Sequence, residues 1–254
     1  MGVKMPRFLD YFSNFASTYK KYRPTYPRAI FKFLAKSSPS TSLAWDCGTG
    51  NGQAAIALAD FFTQIHATDL SASQIVQATK HPRIRYSNEP AESCSLPSQV
   101  VDAIVVASAY HWFDAERFQS EVMRVLVPGG LLCTMAYGTT KISPHLDAAV
   151  DNIRKEILEP YWPPEAKDPS RRHPPETENL KHLPTDAYTI ECEWRLDDLL
   201  GYVSTWSAFQ LAIQNSDTMA IEHCHSQLTN AWGKEDFKIV AWDIDLQVLR
   251  RIPF

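Results

Sequence analysis

The chain has 254 residues, enough for one large domain with a substantial core, and its 44% hydrophobic and 21% charged composition is that of an ordinary soluble globular protein. A formal net charge of -4 gives no global attraction to nucleic acid, so the expected partner is a small-molecule substrate. Five scattered cysteines, Cys47, Cys94, Cys133, Cys192 and Cys224, share no CxxC spacing, which argues against a disulfide framework or zinc ribbon and for a reducing, cytoplasmic setting. The opening MGVKMPRFLDYF lacks the apolar run of a signal peptide, and Pro6 stands where a myristoylation site needs Ser or Thr. No stretch approaches the ~18 uninterrupted apolar residues needed to span a bilayer, so no membrane partner is expected.

Along the chain, residues 7–37 carry Phe8, Phe12, Phe15, Tyr19 and Tyr22 at roughly helical spacing, interrupted by RPTYP, and predict a helical N-terminal cap over 1–38. From residue 39 to about 140 short apolar runs alternate with amphipathic segments: SLAWD, QIHATD, IRYSNE, DAIVVASAY and LLCTMAY as strands, GQAAIALADFF, SASQIVQATK and DAERFQSEVMRVL as helices, the last closed by VPGG. Strands alternating with helices imply a parallel sheet, and a run such as AIVVA is apolar enough to be covered on both faces. The fold class expected is therefore α/β, doubly wound and mostly parallel. Residues 141–186 form a cap insert with seven prolines between 160 and 184, too long for an ordinary connection and read as a lid or a mobile surface loop. Residues 187–254 read as a strand (AYTIECEWRL), a substrate-side helix (DLLGYVSTWSAFQLAIQ) and a last alternating strand (FKIVAWDIDLQVLRRI), all within a single domain.

The densest chemical signal is WDCGTGNG at 45–52: a strand ending at Asp46, then Gly48, Gly50 and Gly52, then a helix. Such a turn cradles a nucleotide at the carboxyl end of the first strand. A phosphate-binding P-loop would need GxxxxGK[ST], and no Lys-Ser or Lys-Thr follows. A dinucleotide fingerprint would put its third glycine at position 53, which is Gln53, and its pyrophosphate close to Asp46. S-adenosylmethionine has a cationic amine and sulfonium and no phosphate, and an acid ahead of the glycines suits it. Asp69, at the end of the second strand and 17 residues past Gly52, can accept both hydroxyls of an adenosine ribose; the alternative is that Asp69-Leu70-Ser71 only caps the next helix.

LAWDCGTGNG and ATDLSASQI resemble the first two motifs of class I S-adenosylmethionine-dependent methyltransferases. YSNEPAESCSLP resembles the third, and VLVPGGLL the helix-to-strand turn that follows, so the resemblance runs in order from about residue 40 to 137. FSNFASTYKKYRPTYP, SAYHWFD, PYW and YVSTWSAFQ further resemble the type 11 methyltransferases of the fungal trans-aconitate methyltransferase group, whose members esterify small carboxylic acids. The resemblance implies a seven-stranded Rossmann-like sheet, S-adenosylmethionine as cofactor and S-adenosylhomocysteine as product. For this chain it implies cofactor contacts from Tyr19, Arg23, Asp46, Gly48, Gly50, Asp69, Leu70, Ala91, Glu92 and Ala107, with Arg23 near the cofactor carboxylate.

A carboxylate acceptor is already ionised and needs no base, whereas a hydroxyl or amine acceptor would need His111, which follows the fourth strand at the cofactor edge. The packed alternative for His111-Trp112-Phe113 is an aromatic corner. For an acid substrate the pocket needs a guanidinium, for which Arg171 and Arg172 are the candidates, the alternative being a solvated pair on a loop; Trp112 is a candidate pocket wall, and the resemblance implies Tyr161 and Trp206 as lid aromatics, with core packing as the alternative. The cluster His223, Cys224, His225 has adjacent rather than spaced ligands and is not read as a metal site, so no metal is expected. The expected function is O-methylation of a small carboxylic acid. The rivals are hydroxyl, N- or C-methylation through His111, an NAD-dependent oxidoreductase, and a cofactor-binding protein without turnover.

Overall fold

The computed structural model describes residues 21–252. Helix α1 (Arg28–Ser37) sets Ile30, Phe31 and Leu34 on one buried stripe. The sheet then builds as β1 (Leu43–Cys47), α2 (Gln53–Leu58), β2 (Gln64–Thr68), α3 (Ala72–Gln77), β3 (Ile84–Ser87), β4 (Val101–Ala107), α4 (Ala115–Val125) and β5 (Leu126–Tyr137). The cap follows as α5 (Pro144–Asn152), a π-helical turn (Ile153–Ile157), short 3-10 turns and α6 (Pro164–Lys167). Strand β6 (Leu180–His182), β7 (Thr189–Trp194), helices α7 (Leu196–Ser204), α8 (Ser207–Gln214) and α9 (Thr218–Trp232), and β8 (Lys238–Arg251) complete the described chain.

The strand path is β3-β2-β1-β4-β5-β8-β6, with β7 paired to β8 off that path. The first five strands are parallel and β8 runs antiparallel to β5. The doubly wound, mostly parallel sheet expected from the sequence is thus present, with seven strands on the main path and one added. The addition follows from the 14-residue length of β8: residues 238–243 pair with β7, while residues 244–250 pair with β5.

Alternation along the central strands feeds two cores. Ala44, Ala103 and Val105 join Phe31, Leu34, Leu58 and Phe62 on one face. Trp45, Ile104 and Val106 join Phe118, Val122 and Val125 on the other. Both faces exclude water, so a polar group inside must be partnered: buried Asp102 accepts hydrogen bonds from the amides of Ser42 and Leu43, and the Trp45 indole donates to Thr68 Oγ1 at 2.9 Å. A third core, with Leu146, Val150, Leu199, Phe209, Leu228 and Trp242, lies between α5, α7, α8, α9 and β8 and forms the floor of the cap.

Two segments depart from expectation. The helix expected through DLLGYVSTWSAFQLAIQ is two helices, broken at Thr205 and Trp206. The Thr205 hydroxyl bonds back to the Tyr202 carbonyl at 2.6 Å, and the Arg23 guanidinium takes both Thr205 Oγ1 and its carbonyl, so Trp206 turns extended and starts α8. Helix α9 was not anticipated, although Cys224, Leu228 and Trp232 recur every four residues and are all buried. The proline-rich insert folds into short turns and ends in β6. No helix among the described residues is long and apolar enough to cross a membrane.

Candidate active site

Where the strand order reverses, the carboxyl ends of β1 and β4 open a crevice, the place where open α/β sheets hold ligands. The glycine loop forms one lip of it. The amides of Gly48 and Thr49 both donate to the Thr68 carbonyl at 2.9 Å, which folds the loop back over β2. Gly48 and Gly52 have φ of +73° and +89°, and an added Cβ would stand 2.5 Å from Ala109 Cβ and 2.2 Å from the Tyr86 hydroxyl. Neither backbone geometry nor space admits a side chain at these two positions.

Behind the loop lies Asp46, fully buried. Its Oδ2 accepts from Thr49 Oγ1 at 2.5 Å, while Oδ1 is buried without a hydrogen-bond partner. Burial raises its pKa to about 7, with Asp69 adding to the rise and Thr49 and the Ala55 amide opposing it. Asp69 lines the crevice and accepts from the amides of Gly50 and Ser71, each at 2.8 Å. The capping of α3 falls to Ser71, whose side chain accepts from the Gln74 amide. Asp69 therefore braces the glycine loop from the lining of the crevice.

Leu70, Ala91, Glu92 and Ala107 line the same crevice, as do Gly48 and Gly50. Glu92 accepts from the Asp114 amide at 2.8 Å. Glu89, two residues before Ala91, the first position expected from the third motif, also lines it. Burial would raise its pKa, but bonds from Ser87, Ser95 and His66 outweigh that and hold it near 2. Among the described residues no Lys or Arg lines this crevice. A pyrophosphate would face Asp69, Glu89 and Glu92 with no described cation beside them, whereas a ligand with a cationic head, ribose hydroxyls and a flat base suits those acids and the small apolar residues; Asp46, fully buried behind the loop, is not part of the lining.

Beside it is a second chamber, and the two share Ser108, Trp112 and Tyr137. Ser108 sits at the tip of β4 with φ of 54°, unusual for a residue with a side chain. Its Oγ lies 2.9 Å from the Tyr26 hydroxyl. His111 lines the chamber with its ring tilted against Trp112 at 4.7 Å; burial first, then Arg171, holds its pKa down to about 4, so the imidazole is neutral at physiological pH. Trp206 lines the chamber and packs against Trp162 and Tyr202, both at 5.8 Å.

Three guanidinium groups, those of Arg23, Arg154 and Arg172, line the chamber together with Glu165, Asp168 and Asp245. Arg23, expected beside the cofactor, lines this chamber and not the crevice; it is fixed by Thr205 and the Tyr137 hydroxyl, and its guanidinium lies over the Tyr202 ring. Arg172 faces Asp245 at 3.6 Å. Arg171 instead donates to the Phe113 carbonyl at 2.8 Å and braces the insert against the wall. Tyr161 lies outside both cavities, bonded to Asp217 at the start of α9. Tyr19 lies outside the described residues. On α9, Cys224 is buried and His225 stacks on Phe209.

Arg154, Tyr26, Ser108 and Asp245 were not singled out from sequence. They come from four separate segments, and only the position of Ser108 just past β4 gave a local hint.

Residues 45–134 match a family described as a methyltransferase domain. A protein of Dictyostelium discoideum assigned as a methyltransferase is 29% identical over 95% of this chain and 94% of its own length. A protein of Saccharomyces cerevisiae named as an S-adenosylmethionine-dependent methyltransferase is 28% identical over 52% of this chain, which spans 49% of that relative. A solved structure from Anaeromyxobacter dehalogenans, assigned as a type II methyltransferase, is 38% identical and covers 92% of this chain and 100% of its own, with a TM-score of 0.81. Together with the crevice that suits a cationic nucleoside, these similarities identify the chain as a member of the class I S-adenosylmethionine-dependent methyltransferases.

Proposed function

We propose that this methyltransferase transfers a methyl group to an oxygen of a small carboxylic acid, giving a methyl ester. The observation that carries the reading is the pairing of cavities: an acidic crevice suited to the cofactor opens, at Ser108, Trp112 and Tyr137, onto a chamber of mixed charge and aromatic rings in which the Arg154 guanidinium has no carboxylate partner among the described residues. The cofactor, when bound, supplies an electrophilic methyl on a cationic sulfonium.

The chain's own residues do the rest. Asp69 would take the ribose hydroxyls, Asp46 the field of the cationic head, Ala91 and Glu92 the base, and Gly48 and Gly50 would leave the backbone open to close approach. Trp112 and Tyr137 shield the junction from water and hold the acceptor in line, which is most of what a displacement at sulfur-bound methyl needs. Their rings add cation–π attraction of about 0.5–2 kcal/mol for a sulfonium placed beside them. Glu165, Asp168 and Asp245 balance the chamber's three arginines and Arg172 faces Asp245, so the preference for an anionic acceptor rests on Arg154, whose guanidinium meets no carboxylate among the described residues.

His111 supports the same choice. Held near pKa 4, it is unprotonated but a weak base, poorly matched to removing the proton of an alcohol. An ionised carboxylate needs no such help. We take the reaction to be cytoplasmic, a reading supported by five cysteines of which none is disulfide-bonded. Its partner is a small molecule rather than nucleic acid or a membrane.

The test is incubation with methyl-labelled S-adenosylmethionine and a panel of small carboxylic acids, with products examined by mass spectrometry and alkaline hydrolysis. Base-labile methyl esters are expected. Label found only in ethers, amines or carbon-linked methyl groups would overturn the reading.

A further inference from the structure

The cap's helical axis is interrupted at one place. Helix α5 widens into a π-helical turn at Ile153–Ile157, closed by the Leu158 amide donating to the Ile153 carbonyl at 2.8 Å. Such turns are rare and cost hydrogen-bond geometry, so a reason is expected where one occurs. Here the turn carries Arg154. Its carbonyl, left over by the altered register, accepts from the Trp162 indole at 2.9 Å, and its guanidinium lies 5.9 Å from the centre of that same ring.

The two contacts fix Arg154 from both ends, yet its guanidinium makes no hydrogen bond and no ion pair among the described residues. It is half-buried and lines the chamber. The contrast with the neighbouring cations is direct: Arg172 faces Asp245, and Arg171 is satisfied by a carbonyl. A pre-positioned guanidinium with five donors and no acceptor is a receptor for a planar anion.

Its location also separates two tasks. Ser108, Trp112 and Tyr137 line both cavities and mark where transfer occurs, whereas Arg154 and Trp162 line only the chamber. We infer that Arg154 is the specificity-determining anchor of this enzyme: it holds a carboxylate of the substrate on the side of the chamber away from the crevice and so presents a second group of the substrate at Ser108. The inference rests on the small-acid reading only for the chemistry at the acceptor, not for the anchoring itself.

The experiment uses full-length protein saturated with S-adenosylhomocysteine, titrated calorimetrically with matched probes, glutarate and benzoate against glutaramide and benzamide. At least one acid is expected to bind tenfold or more tightly than its amide. R154Q should remove that preference while leaving the affinity for S-adenosylhomocysteine unchanged, and R154K should restore part of it. In turnover, R154Q should raise KM at least tenfold with kcat within a few-fold. Equal binding of acids and amides by the wild type, no saturable acid binding at all, or unchanged acid affinity in R154Q would each overturn the assignment. Should R154Q lose S-adenosylhomocysteine binding, R154K against wild type decides by the same acid-to-amide ratio. Methyl esters formed with an unaltered KM in R154Q would defeat the anchor and keep the O-methylation reading; Arg154-dependent acid binding without ester formation would do the opposite.

Discussion

The two cavities that meet at Ser108 are built by opposite means. The crevice is local and sheet-borne: its glycine loop, Asp46 and Asp69 lie within 24 residues, on strands whose partners are fixed by ladder hydrogen bonds. The chamber is assembled at a distance, from Arg23 before α1, His111 after β4, Arg154 on the cap, Trp206 between α7 and α8, and Asp245 on β8. One is lined by carboxylates and no described Lys or Arg, the other by three arginines together with three carboxylates, Glu165, Asp168 and Asp245. The difference teaches that the carboxylate-lined crevice is written into the edge of the sheet, while the chamber depends on how the cap is folded over that edge.

The sharpest way to break this comparison is at Gly52. G52A must adopt a positive φ and displace the Tyr86 hydroxyl, itself bonded to the Thr79 carbonyl at 2.9 Å, so stability should fall by about 2 kcal/mol or more and cofactor affinity by over ~100-fold. A thermal melt with calorimetric titration of S-adenosylhomocysteine reads both, and wild-type binding would refute the packing described here. D69A should weaken the same titration by roughly 30-fold, near 2 kcal/mol for lost bonds to a charged acceptor, and also lower the melting temperature because the Gly50 and Ser71 amides lose their acceptor.

Asp46 gives a pH test. Its pKa in the folded chain, about 7, lies above its ordinary value of 3.8. The folded state therefore keeps a proton that the unfolded chain has lost: the stability this contributes is complete below 3.8 and disappears as pH rises through about 7. A cationic ligand selects the ionised form, so affinity for S-adenosylmethionine should rise up to about tenfold per pH unit on approaching 7 and level off above it. D46N should flatten that profile. A flat profile in the wild type would place the cationic head elsewhere.

On the chamber side, W206A should raise substrate KM by about tenfold through lost aromatic packing while leaving S-adenosylhomocysteine affinity intact; a parallel loss of cofactor affinity would show that the cavities are not separable. H111N is expected to change ester formation by less than about threefold, because an ionised acceptor asks nothing of a base.

Legibility followed the same division. The glycine loop, the acid at 69, the apolar runs of β1 and β4 and the helices between them were readable because each is decided by neighbours in sequence. The break between α7 and α8 was not, because it depends on Arg23 reaching Thr205 across 182 positions. Arg154 carried no local mark either, since its meaning comes from Trp162 and from a widened turn that no apolar spacing announces. Helix α9 could have been found from Cys224, Leu228 and Trp232, whose four-residue spacing was overlooked beside the neighbouring histidines.

The long last strand has a consequence for biosynthesis. Strands β1 to β5 are contiguous in the chain and can pair as they leave the ribosome, so the acidic crevice can form on a nascent polypeptide. β8 pairs with β7 along one half and with β5 and β6 along the other, across more than a hundred intervening residues in the case of β5. Until residue 251 is out, the exposed edge of β5 is an unpaired strand and the cap has no floor. A growing chain therefore frames its acidic crevice before the chamber beside it has walls.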